Sequence, residues 1–260
     1  MLGTAPNSNY FEGRISMWSR AELKFSAKAV LRKHYWWAIL AFLIYYAISI
    51  VATAPFSILN IIIQMPKQME ALKNGDMIGS YTAAYNPIFP ILIFAVSFFV
   101  LYPLLVGLYK FFLNIRENRT NLTDIFLSFK NGNYLSVVGS MAWMYLFTFL
   151  WTLLFIVPGI IKAISYSMTP FILADNPKIG YKRALKLSMA MTDGQKGAIF
   201  VLGLSFIGWA LLGLVVCFGI GIFFLGPYFY ATFTELYVKL RTNAVNNGIC
   251  TPNELNLKNI

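Results

Sequence analysis

Lys24, Lys28 and Arg32 recur every four residues, and Lys178, Lys182 and Lys186 repeat that interval with Arg183 beside them. On a helix this spacing gathers the cations on one face. Leu23, Ala27, Val30 and Leu31 fall on another face of the first segment, and Tyr181, Ala184, Leu185 and Ser188 on another face of the second. Such faces can hold anionic lipid headgroups, at roughly 1 kcal/mol per basic side chain near a membrane surface. The same stripes also serve the plainer purpose of fixing topology and anchoring helix ends. A third set, Asp175, Lys186 and Asp193, has the side chains for acid, base and phosphate contacts on a headgroup. No nucleophile with a partner histidine and no glycine-rich phosphate loop accompanies it. His34 is the single histidine, and it cannot build a zinc site with Cys217 and Cys250. No catalytic, cofactor-binding or metal-binding residue is assigned, and no cofactor is expected.

The elements that must position these residues are apolar. Tyr35 to Pro66, Met77 to Tyr109, Asn131 to Ile161, Ala163 to Ala174 and Gly197 to Thr234 carry no charged side chain. A bilayer core about 30 Å thick is crossed by roughly 20 apolar helical residues. With 58% hydrophobic and 12% charged residues, the chain departs from soluble composition, where about 25% are charged. The 21 Lys and Arg against 10 Asp and Glu sit in short segments between apolar runs. That pattern excludes a basic nucleic-acid-binding domain and fits cytoplasmic loops.

Charge asymmetry sets the expected topology. Crossings at about 35–64, 87–113, 135–157, 159–174, 197–217 and 219–238, with both termini inside, place 18 of the 21 basic residues in the cytoplasm. Only Lys67, Lys73 and Lys162 remain outside; if 159–174 does not cross, the split becomes 10 in and 11 out. The expected fold is thus an all-α integral membrane protein, a six-span helical bundle of three hairpins with two cytoplasmic amphipathic surface helices. Residues 1–16 read as a disordered tail, 17–241 as one membrane domain and 242–260 as a polar cytoplasmic tail. The tail upstream of Met17 is read as lying before the true start. No cleavable signal peptide is expected.

Local signals fill in the frame. Ser19 and Glu22 have the spacing of a capping box. Asp175-Asn176-Pro177 has the chemistry of one helix ending and another starting, which makes capping the expected role of Asp175. Pro158-Gly159 and Phe218-Gly219-Ile220-Gly221 read as outer turns, Asp193-Gly194-Gln195-Lys196 as a turn at the inner surface. Pro103, Pro170 and Pro227 recur in the returning helices, a pattern compatible with an internal hairpin repeat. Gly203, Ser205, Gly208 and Gly213 are expected to let the fifth span approach its neighbours closely. Cys217 reads as a small packing residue. Trp209, Phe223, Phe224, Tyr228, Phe229 and Tyr230 read as packing and lipid-facing residues. The sequons at Asn118 and Asn121 are cytoplasmic in this topology and are not expected to be glycosylated.

At Tyr166-Ser167-Met168-Thr169-Pro170-Phe171-Ile172-Leu173-Ala174-Asp175-Asn176-Pro177, then Ala184-Leu185-Lys186-Leu187-Ser188, Leu204-Ser205-Phe206-Ile207-Gly208-Trp209 and Gly226-Pro227-Tyr228, the chain resembles a bacterial membrane family. It is the multi-pass family catalogued as domain of unknown function nine-seventy-five, itself similar to the membrane domain attached to some glycerophosphodiester phosphodiesterases. Glu22-Leu23-Lys24 and Ala27-Lys28 extend the resemblance, which covers about 17–241. It implies a bacterial, Gram-positive plasma-membrane protein and carries no catalytic residues over. The N-terminal extension and the tail after Arg241 depart from it.

Three functions compete on these features. A non-enzymatic scaffold, envelope sensor or lipid-organising protein is favoured by the basic stripes, with anionic lipid headgroups as partners and a membrane protein or a second copy as a further partner. A transporter or export accessory for a neutral or amphipathic solute is the alternative. Ion coupling is disfavoured because no acidic residue falls deep in an expected span, Glu235 being nearest. An enzyme acting on headgroups is disfavoured by the missing machinery.

Overall fold

A computed structural model describes residues 18–77, 86–130, 132–216 and 221–257. The expected tail 1–16, the start at Met17, Cys217 and the turn at 218–220 lie outside them. Among the described residues every regular element is helical.

Helix α1, Arg20–Lys73, runs for 54 residues. Ser19 Oγ accepts from the Glu22 amide at 3.0 Å, so half of the capping box forms. The Glu22 carboxylate instead meets Lys239 Nζ at 2.7 Å, tying the helix start to the far end of the chain. Leu23, Ala27 and Leu31 are buried one turn apart, while Lys28 and Arg32 stay exposed. The apolar face of this segment packs on protein. At His34 the backbone leaves helical geometry (φ −131°, ψ 26°), and the helix continues on a new course. Beyond the kink its surface is apolar and bare: Val51 and Ile62 are 74% and 61% exposed. In water each such side chain would forgo roughly 1.5–3 kcal/mol of burial; in hydrocarbon it forgoes nothing.

Helix α2, Ile88–Val96, passes through a π-helical turn, Ser97–Leu101, into α3, Tyr102–Arg116. The wide turn absorbs Pro103 near the start of α3, where a missing N–H is tolerated. Helix α3 is deeply buried, with Leu104, Val106, Leu108, Phe111, Phe112 and Ile115 all in the core. The segment after it does not stand off as a simple inner loop. Its 3-10 helix, Leu122–Phe129, turns back along α3, so that a Cβ on Gly107 would lie 1.9 Å from Ile125 O. Ser128 Oγ donates to Pro103 O at 2.7 Å.

Helix α4, Tyr134–Leu154, folds onto α5, Ile156–Tyr166, through the single extended residue Phe155 (φ −157°, ψ 142°). The turn therefore precedes Pro158-Gly159, which lies inside the returning helix. Gly159 is needed for contact: a Cβ there would sit 2.4 Å from Thr152 Oγ1. Helix α5 breaks at Ser167–Met168 and resumes as α6, Thr169–Asp175, with Pro170 in its first turn. The freed groups are satisfied by one side chain. Ser188 Oγ accepts from the Met168 amide at 3.2 Å and donates to Ser165 O at 2.7 Å. Gly180 (φ 79°) then leads into α7, Tyr181–Thr192, and Gly194 (φ 73°) turns the chain into α8, Lys196–Val216. Helix α9, Gly221–Asn246, packs against α1, α3, α7 and α8.

Four helices are long and apolar enough to cross a membrane among the described residues: Arg20–Lys73, Ile88–Arg116, Tyr134–Leu154 and Ile156–Asp175. Tyr181–Thr192 and Lys196–Leu211, bent by 88°, make a fifth if they form one span.

The residues after α9 fold back onto the bundle. Cys250 and Leu255 are buried, so the described part of the expected polar tail belongs to the packed unit.

Candidate functional site

Two places gather the chemistry: a buried ionic cluster and an apolar groove. Asp175, at the end of α6, has a side chain only 5% exposed. Tyr237 Oη donates to its Oδ2 at 2.8 Å, and Arg241 Nη1 donates to the same oxygen at 2.6 Å. Lys110 Nζ stands 3.7 Å from Oδ1. Capping is thus not what the Asp175 carboxylate does. Asn176 takes the turn role, its Oδ1 accepting from the Lys178 amide at 3.0 Å, and the carboxylate reaches across to α9. Glu235 is buried too and is matched by Arg116 Nε at 3.0 Å. Two buried carboxylates, each on an arginine, neutralise charge that the bundle could not otherwise hold.

A short C-terminal strap, residues 247–257, closes this end. Arg183 binds Glu254 through both of its forked nitrogens, Nη2 to Oε2 at 2.9 Å, and also donates to Ile249 O at 2.8 Å. The arginine holds the Glu254 carboxyl below its ordinary range, while burial pushes the Cys250 thiol up. Asn176 Nδ2 donates to Glu254 O at 2.9 Å, and Asn256 Nδ2 to Asp175 O at 3.1 Å. Arg183 is therefore a half-exposed clamp, already paired within the protein, unlike the three lysines expected beside it as lipid contacts. Lys178, Lys182 and Lys186 remain exposed, Lys178 in the turn before α7 and the other two on the helix. Pro177 is buried, its carbonyl accepting from Ser136 Oγ at 2.7 Å.

The first basic stripe borders the groove. A cavity of about 710 Å³ opens between α1, α8 and α9. Lys28, Leu31, Arg32 and Tyr35 line it from α1, Trp209 and Gly213 from α8, and Gly221, Phe224, Leu225 and Tyr228 from α9. Among the described residues, Lys28 and Arg32 are the charged ones in its lining. Lys28 Nζ lies 5.7 Å from the Tyr228 ring centre. Lys24 is turned inward, donating to Ser205 Oγ at 2.8 Å with its ammonium 4.8 Å from the Phe206 ring centre. Along α9 the lining from Gly221 to Tyr228 spans about 10 Å.

Small residues on α8 act differently from expectation. A Cβ at Gly203 or Gly208 would meet nothing within 4 Å, so neither allows a close helix contact. Gly213 does, since a Cβ on Gly221 would lie 2.7 Å from its Cα. Trp209 is 63% exposed on the groove wall. Pro227 lies inside α9, and Gly226 beside it admits the Phe42 ring. The Asp175–Tyr237–Arg241 cluster and the Arg183–Glu254 clamp join residues more than sixty positions apart. Asp175's place at the end of an apolar run is the sequence signal for the first; Glu254, in a polar segment, offers none for the second. No group of three or more His, Cys, Asp or Glu that could hold a metal occurs among the described residues.

These features define a helical protein of membrane type, with apolar helix faces turned outward and buried carboxylates matched by arginines. Residues 154–244 match the family described as "Protein of unknown function (DUF975)". The matched stretch holds α5 to α8, most of α9, Asp175, Tyr237, Arg241 and the α8 and α9 walls of the groove. No curated protein matches the chain, and no solved structure does.

Proposed function

We propose that this chain is a non-enzymatic, lipid-organising protein of a bacterial plasma membrane that holds an anionic phospholipid in the groove between α1, α8 and α9. The observation that carries the reading is the groove's composition: an apolar trough whose charged residues are two cations one helical turn apart. An anionic headgroup at Lys28 and Arg32 leaves its acyl chain to run over Leu225, Phe224 and Trp209, matching charge and polarity along the ligand. The volume lies in the range of about 300–1,000 Å³ usual for small-molecule sites. An even number of crossings with both termini inside, and a relationship to the membrane domain of glycerophosphodiester phosphodiesterases, belong to this proposal. The inside placement is supported by the distribution of Lys and Arg.

Native mass spectrometry tests it. Wild type and the Lys28→Gln/Arg32→Gln variant are extracted identically from membranes containing phosphatidylglycerol and phosphatidylethanolamine. Loss of two cations near the headgroup, about 2 kcal/mol, corresponds to roughly thirtyfold weaker retention of the anionic lipid. Equal retention by the variant refutes the reading.

A further inference from the structure

We propose that a second cavity, between α3, α9 and the C-terminal strap, binds the phosphate group of a small anion, independently of the groove. The cavity measures about 290 Å³ and is walled by Lys110 and Arg116 of α3, Arg119 just beyond it, Arg241 of α9 and Asn256 of the strap. Asp175 and Glu117 are the carboxylates in its lining. Four cations thus face two anions in the lining, Arg116 being paired besides with the buried Glu235, and the lining anions are already engaged. Asp175 Oδ2 accepts from both Tyr237 and Arg241, and Glu117 pairs with Arg119.

Donor capacity is left over. Lys110 Nζ, 3.7 Å from Asp175 Oδ1, is beyond hydrogen-bond reach of it. The Lys110 ammonium is partly exposed and the Arg119 guanidinium largely so, which leaves N–H groups on both for an oxyanion entering the cavity. Donors converge from a helix on each side and from the strap above, an arrangement suited to the several oxygens of a tetrahedral phosphate. The space exceeds what the phosphate alone fills, leaving room for the group that carries it.

The strap couples binding to a readout. Asn256 and Leu257 form part of the cavity wall, and Cys250 lies buried in the same strap. A bound anion that holds the strap down therefore slows the labelling of Cys250.

The test uses full-length protein carrying Cys217→Ser in neutral detergent. Inorganic phosphate is titrated against chloride at constant ionic strength, followed by calorimetry and by the rate of maleimide labelling at Cys250. A parallel arm uses short-chain phosphatidic acid. Saturable phosphate binding that slows labelling is expected, weakened about tenfold by Lys110→Gln. Arg119→Gln, at an exposed position, gives a second variant with the same direction should the first not fold. Phosphate binding that phosphatidic acid does not displace assigns a soluble ligand; displacement by tighter phosphatidic acid assigns a lipid headgroup. The proposal is overturned if neither probe binds saturably, if chloride protects Cys250 equally, or if every folded variant binds as wild type does.

Discussion

Replacing Asp175 by Asn removes a charge while keeping shape, and the structure sets the size of the consequence. The carboxylate side chain is 5% exposed and that of Arg241 12%. Breaking a buried pair by removing one partner typically destabilises by 3–5 kcal/mol, because the other charge is left uncompensated. The adjoining polar cavity admits water to one side, so the lower end, about 3 kcal/mol, is expected. Tyr237→Phe removes only the O–H donated to the carboxylate, and the ring keeps its stacking on Phe171, whose centre is 5.1 Å away. Its loss is expected at about 2 kcal/mol, the range for a hydrogen bond to a charged group. Since both changes act on one oxygen, the double variant should fall short of their sum by about 1 kcal/mol or more. Asp175→Asn with Arg241→Met should regain part of the single variant's loss, since the buried guanidinium goes with the carboxylate and only the partly exposed Lys110 is left without its partner. Thermal unfolding in detergent reads these values; about 3 kcal/mol corresponds to a fall of roughly 6–12 °C by the scale of domains of similar size. Additive losses, or Asp175→Asn melting within 2 °C of wild type, would refute the inference that these side chains form one cooperative cluster.

Other predictions test separate parts of the structure. Gly107→Ala drives a methyl into the Ile125 carbonyl and should destabilise by about 1–3 kcal/mol or more, whereas Gly208→Ala meets open space and should be neutral in the same thermal assay. The Glu254 carboxyl is held low by Arg183, so its contribution to strap seating is complete above the ordinary carboxyl value of about 4.3 and is lost as pH falls through the lower folded value. With Cys217→Ser, a maleimide pulse after brief acid exposure should therefore label Cys250 more only from about pH 4 downward; an increase between pH 6 and 8 would contradict it. Because Lys178, Lys182 and Lys186 stand apart from the groove, changing all three to Gln should leave phosphatidylglycerol retention within about twofold of wild type, their screened surface charges adding little.

The parts of the fold legible in the sequence are those governed by neighbours along the chain. Ser19 before a periodic segment marks the start of α1, and the uncharged runs mark the helices with outward apolar faces. The four-residue interval of Lys24, Lys28 and Arg32 identifies a basic edge. What the sequence hides depends on meetings between distant segments. The α4–α5 turn falls at Phe155 rather than at Pro158-Gly159 because Gly159 is spent on contact with Thr152 and Pro158 fits a helix's first turn. Asp175 has the local credentials of a cap, yet Tyr237 and Arg241 outbid the nearby amides for its carboxylate. Arg183 belongs by spacing to a lipid-facing stripe, and a glutamate seventy-one residues later draws it away.

The central claim is that an anionic phospholipid occupies the trough bounded by Lys28 and Arg32, and photo-crosslinking in a bilayer tests it most directly. Phosphatidylglycerol bearing a diazirine on its acyl chain is activated with the reconstituted protein, and adducts are mapped by mass spectrometry. The account predicts adducts concentrated at Trp209, Phe224 and Leu225, suppressed by excess unlabelled phosphatidylglycerol and not by phosphatidylcholine. Labelling spread evenly over outward residues such as Val51, Ile58 and Ile62, with the trough no richer than they are, would contradict it.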